Sequence, residues 1–145
     1  MRDNLDKFLD YLRESKPDIE PILYTKTQKI YADKILSVID PAREVFEHVL
    51  YQDACYRLEV PPEEGDIDDF IKDISRFKNR DIKRSILADS NRIAFLMTPE
   101  NSLPVYAYHG DHHIDPNQKD PYFTNLIDDI EELKMIADVR PKLEK

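Results

Sequence analysis

Only two glycines, Gly65 and Gly110, occur in the 145 residues of this chain. Loops of the GxGxxG or P-loop kind need several glycines close together, because the backbone must turn sharply and approach a phosphate with no Cβ in the way. Nucleotide-binding folds of both kinds are excluded by that count. The length is close to that of one domain, so a single globular domain over 1–145 is expected. Hydrophobic residues at 41% and charged residues at 35% describe a polar but foldable chain.

Apolar spacing then divides the chain. Leu5, Phe8, Leu9 and Leu12 recur at helical intervals and predict a first helix, which Pro17 and Pro21 end. Thr25-Lys26-Thr27-Gln28 reads as a capping box before a second helix lined by Tyr31, Ile35, Val38 and Ile39, with Leu36 at its border. Asp40-Pro41 reads as an N-cap followed by a first-turn proline, opening a third helix that buries Ala42, Val45, Phe46, Val49 and Leu50. Asp66 would cap a fourth, with Ile67, Phe70, Ile71, Ile74 and Phe77 as its stripe. A break at Asn79 and Asp81 precedes Ile82, Ile86 and Leu87. Arg92–Thr98 and Leu103–Tyr108 read as strands around the hairpin loop Pro99-Glu100-Asn101-Ser102, with Pro104 at a strand start or edge. Asp120-Pro121 opens a last helix facing inward through Phe123, Leu126, Ile127, Ile130 and Leu133. The expected class is helix-dominated α+β: five to six amphipathic helices, one late β-hairpin at about 92–98 and 103–109, and a C-terminal helix.

The net charge of −9 argues against nucleic acid or an anionic membrane as partner. Charge is also blocked along the chain: −5 over 61–75, +4 over 76–92 and −6 over 111–132. Cys55 is the lone cysteine, so disulfide scaffolds and cysteine zinc clusters are excluded. The first residues carry no signal-peptide pattern, and no apolar run approaches the roughly 20 residues that span a bilayer. A soluble cytoplasmic protein is the expectation.

Two candidate sites stand out. His109, His112 and His113, with Asp111 or Asp115 beside them, could hold zinc or another divalent cation, since neutral imidazoles and a carboxylate suit such ions. The HExxH pattern is absent, as are GxSxG and any ordered Ser-His-Asp set, so the reading leans to a non-catalytic role with no required cofactor. Tyr106 and Tyr108 alternate on one expected strand face beside the acidic loop. With Asp111, Asp115, Glu63, Glu64, Asp68 and Asp69 they make a candidate surface for a basic protein partner.

Leu103-Pro104-Val105-Tyr106-Ala107-Tyr108-His109, then an acidic loop, then Leu126-Ile127-Asp128-Asp129-Ile130-Glu131-Glu132-Leu133, resembles the end of SUKH-superfamily proteins. That resemblance implies a toxin-neutralising immunity or inhibitor protein that works by occluding its partner. The alternatives are a small metal-dependent enzyme using the His109–His113 cluster, and an acidic secretion chaperone or adaptor.

Overall fold

The computed structural model describes residues 1–59, 69–108 and 120–144. Helix α1 spans Leu5–Glu14 and buries Leu9 and Leu12. Strand β1 (Ile22–Tyr24) follows Pro21 and leads through a turn into α2 (Lys29–Ile39), after which β2 (His48–Leu50) pairs parallel to β1. Next come β3 (Tyr56–Leu58) and β4 (Asp69–Ile71), an antiparallel pair. Strand β5 (Leu87–Asp89) pairs parallel to β6 (Ser102–Pro104), with Asp89 opposite Pro104. Helices α3 (Tyr122–Lys134) and α4 (Arg140–Leu143) close the chain.

The expectation of five to six helices and a late hairpin is overturned. Four α-helices and three two-stranded sheets are present among the described residues, and two of the sheets are parallel. The expected third helix is a turn running into β2. Asp40, only 2% exposed, does cap backbone, but its carboxylate accepts from the N–H groups of Glu44, Val45 and Phe46 at 2.9–3.2 Å. Arg43 sits at φ 53°, which no helix accommodates. Val45 and Val49 satisfy a four-residue spacing and an alternating one equally, so their apolar pattern could not choose.

The expected hairpin fails for a related reason. Arg92–Phe95 is a 3₁₀ turn started by Asn91, whose side-chain oxygen accepts from the Ile93 N–H at 3.0 Å. Leu103 instead pairs with Ala88, upstream and in parallel. Tyr106 and Tyr108 therefore lie beyond the strand that was to alternate them. In the expected fourth helix, Phe70 and Ile71 belong to β4 and Ile74 starts another 3₁₀ turn, with Asp73 accepting from the Ser75 N–H. Helix α2 exists, yet buries Ala32 and Leu36 while Tyr31, Ile35 and Val38 are exposed. Its cap is Gln28; Thr25 Oγ1 accepts from the Thr27 N–H at 3.1 Å, turning the chain one step earlier.

Leu9, Leu12, Leu36, Val45 and Phe46 form one apolar cluster, and Ile74, Leu87 and Phe95 another, against which Tyr24 and Phe77 pack. Phe8 of α1 stacks on Phe123 of α3 with ring centroids 4.9 Å apart. Arg2 reaches the start of α3: its Nε donates to Asp120 Oδ2 at 2.5 Å, and its guanidinium lies 3.4 Å from the Tyr122 ring centroid. Between β1 and β5, under α1 and α3, lies a cavity of about 550 Å³.

Candidate functional site

Three short strands end at one place. Thr25 immediately follows β1, Lys72 immediately follows β4, and Asp89 is the last residue of β5. In each case an apolar strand is cut off by a polar residue at its carboxyl end: Ile22-Leu23-Tyr24 then Thr25, Phe70-Ile71 then Lys72, Leu87-Ala88 then Asp89. Carboxyl ends of parallel strands are where open α/β sheets place their ligands.

Lys72 Nζ donates to Asp89 Oδ2 at 2.5 Å, with side-chain exposures of 11% and 14%. Two backbone bonds fix the pair: the Lys72 N–H donates to Ala94 O at 3.1 Å, and the Val105 N–H to Asp89 O at 3.0 Å. The other Asp89 oxygen accepts from the Asn91 N–H at 2.8 Å. Lys72 Nζ also lies 5.9 Å from the Tyr24 ring centroid, which brings it beside the end of β1. There the Thr25 N–H donates to Leu50 O at 2.8 Å, and Cys55 Sγ lies 3.7 Å from Thr25 O. Burial pushes the Cys55 thiol up, while Lys72 pulls it the other way. The Tyr24 phenol, which donates to Ala54 O, is pushed up to about 12, chiefly by burial. Both groups therefore stay protonated at neutral pH. These strand ends thus offer one ammonium, one carboxylate and a threonine hydroxyl, a set suited to gripping an anion with several oxygens.

Of the residues expected to form a partner surface, Asp69 sits in β4, 22 residues from the Asn91 amide that donates to both its oxygens at 2.7–2.8 Å. Burial opposes its charge, but Asn91, the Phe70 N–H and Lys26 together hold it below the usual carboxylate range. Tyr106 is 87% exposed and Tyr108 is 42% exposed; Arg2 donates to Tyr106 O at 2.9 Å and lies over the Tyr108 ring. Glu63, Glu64, Asp68, Asp111, Asp115, His109, His112 and His113 lie outside the described residues. The sequence reading missed Thr25, Lys72 and Asp89. The signal was there in the repeated apolar-run-then-polar ending of each strand.

Residues 1–140 match the NLI interacting factor-like phosphatases. The chain belongs to that family. It is 26% identical over 136 residues to a CTD small phosphatase-like protein 2 of Dictyostelium discoideum, covering 94% of this chain and 21% of that protein. It is 31% identical over 145 residues to mitochondrial import inner membrane translocase subunit TIM50 of Candida albicans, covering 98% of this chain and 27% of the relative. A human carboxy-terminal domain RNA polymerase II polypeptide A small phosphatase 2 is 27% identical, with 92% and 44% covered. The chain thus spans less than half the length of these relatives. The fold resembles that of the fission yeast RNA polymerase II CTD phosphatase Fcp1, with a TM-score of 0.56 at 18% identity, covering 99% of this chain and 37% of that one.

The family match overturns the SUKH resemblance, which rested on a strand–loop–helix ending that unrelated folds also produce. The immunity or inhibitor reading, and with it toxin neutralisation, falls too. Of the readings drawn from the sequence, a metal-dependent enzyme comes nearer in class. No helix among the described residues is long and apolar enough to cross a membrane. Relatives named for mitochondrial import leave a cytoplasmic location without support.

Proposed function

We propose that this chain supplies the phosphate-gripping side of a protein phosphatase site, acting on a phosphorylated protein. The observation that carries the reading is the convergence of Thr25, Lys72 and Asp89 at strand carboxyl ends, in a chain of a phosphatase family. Lys72 would neutralise charge on the phosphoryl oxygens, where an ammonium held in a poorly solvated place acts most strongly. Asp89 positions Lys72 by the 2.5 Å bond. Thr25 Oγ1 accepts from the Thr27 N–H, so its hydroxyl proton can be donated to a phosphoryl oxygen. The negative net charge favours a protein substrate over nucleic acid.

Phosphatases of this family use Mg²⁺. That ion takes about six oxygen ligands in near-octahedral geometry. Among the described residues no three His, Cys, Asp or Glu side chains come together, and Asp89 Oδ2 already accepts from Lys72. These residues do not make a Mg²⁺ site of their own. A second reading follows from this and from the 31% identity to TIM50: a member that binds a polypeptide without turning it over.

The test is phosphate release from a phosphoserine peptide, with Mg²⁺, by the protein carrying this chain. Release is expected, and Lys72→Gln should lower kcat/KM by about 10²-fold or more while urea unfolding shows the variant still folded. No release, with the peptide nonetheless bound, sinks the phosphatase reading in favour of the second.

A further inference from the structure

Lys26 directly follows Thr25, and its side chain is 51% exposed, whereas that of Asp69, the carboxylate it meets, is 16% exposed. Lys26 Nζ donates to Asp69 Oδ1 at 3.2 Å. The same carboxylate accepts from the Phe70 N–H at 2.8 Å and from the Asn91 amide at 2.8 and 2.7 Å. The ammonium therefore makes the longest of the four contacts and is the one that faces water. A carboxylate has room for about four such bonds, and three of these would remain to satisfy Asp69 if Lys26 swung away.

Asn91 closes a circuit. Its side chain holds Asp69, which lies three residues before Lys72, and its N–H donates to Asp89 Oδ1 at 2.8 Å. Asp89 Oδ2 in turn accepts from Lys72. The contacts run Lys26, Asp69, Asn91, Asp89, Lys72, and they tie the ends of β1, β4 and β5 together. Lys72 is the inner cation of this circuit, 11% exposed, and Lys26 is the outer one.

We propose that Lys26 is a specificity-determining residue, leaving Asp69 to pair with a second anionic group on the substrate, an acidic side chain or a second phosphate. The inference rests on the phosphatase reading and names its substrate class. The Cα atoms of Thr25 and Lys26 are about 3.8 Å apart. An extended substrate advances about 3.3 Å per residue, so the second anion lies about one to three residues from the phosphorylated one. A lysine suits the exchange, because its ammonium is a point charge on a flexible stem with no planar fork to match.

The experiment uses the protein carrying this chain and three peptides: Ala-Gln-Gln-phosphoserine-Gln-Gln-Ala, the same with Glu for every Gln, and the Gln peptide with a second phosphoserine two residues after the first. Affinity is read by calorimetry without Mg²⁺, and kcat/KM with it. One or both of the doubly anionic peptides should bind about threefold or more tighter than the Gln peptide. Which of them is favoured identifies the second anion as carboxylate or phosphate. Lys26→Gln should bring the ratio to about one, and Lys26→Arg should keep it. No preference in the parent protein, or a preference that survives Lys26→Gln, overturns the proposal. Phosphate release at equal kcat/KM from all three peptides, with equal affinities, overturns it while keeping the phosphatase reading. A Lys26-dependent preference in affinity with no release from any peptide upholds it and sinks that reading instead.

Discussion

Lys72 Nζ and Asp89 Oδ2 meet at 2.5 Å across 17 residues of sequence, and this one bond joins the end of β4 to the end of β5. Its two side chains are largely withdrawn from water, which makes the pair costly to break and uncertain as a net source of stability. Lys72→Met leaves the Asp89 carboxylate without its counter-ion and should cost about 3–5 kcal/mol in urea unfolding. The double change Lys72→Met, Asp89→Leu should recover much of that loss. A double mutant no more stable than Lys72→Met would show that the pair is not the origin of the effect.

Thr25 separates hydroxyl chemistry from strand packing. Thr25→Ser keeps the O–H and should leave phosphate release within a few-fold of the parent protein. Thr25→Val keeps the shape and should lower kcat/KM by about 10²-fold. Equal rates for the two variants would remove Thr25 from the site.

The turn at Asp40 should write itself into the pH dependence of stability. Burial opposes its charge, but the N–H groups of Phe46, Val45 and Glu44 hold its carboxyl below the usual aspartate range. A folded pKa below the unfolded one means that the contribution is complete above about pH 4 and is lost as the pH falls through the lower folded value. Asp40→Asn should flatten the stability curve in that acidic window. An unchanged acid limb would show that the three N–H groups are satisfied some other way.

Leu36 and Ile35 are neighbours on α2 with opposite fates, 0% and 58% exposed. Leu36→Ala should cost about 2–5 kcal/mol, the usual range for a buried leucine, and Ile35→Ala less than about 1 kcal/mol. Thermal unfolding of both variants checks which face of α2 is inside.

The helices were legible where one residue type at one spacing allowed one answer. Leu5, Phe8, Leu9 and Leu12 permit only a helix, and α1 has them on its inner side. The α2 reading found the element and missed its face, because Tyr31, Ile35 and Val38 make as good a stripe as Ala32, Leu36 and Ile39. The strands here are three residues long, too short for alternation to show, so Val49-Leu50 and Phe70-Ile71 were absorbed into helical spacings. Capping chemistry was easier to see than its context: Asp40 and Asn91 both accept backbone N–H groups, but they begin turns. The site escaped notice because Thr25, Lys72 and Asp89 are spread over 65 residues, and only the paired strand ends bring them together.

The clasp between Arg2 and Asp120 spans 118 residues, nearly the whole chain. Closing so large a loop carries an entropic penalty that is met only after the intervening pieces have collapsed, so this contact belongs to the last stage of folding. It also couples the two ends mechanically: the guanidinium packed on Tyr122 tethers the first turn of α3 to the residues just ahead of α1. Replacing Arg2 by alanine would therefore loosen a helix more than a hundred positions away, and fraying would begin at Tyr122 rather than at the substituted residue.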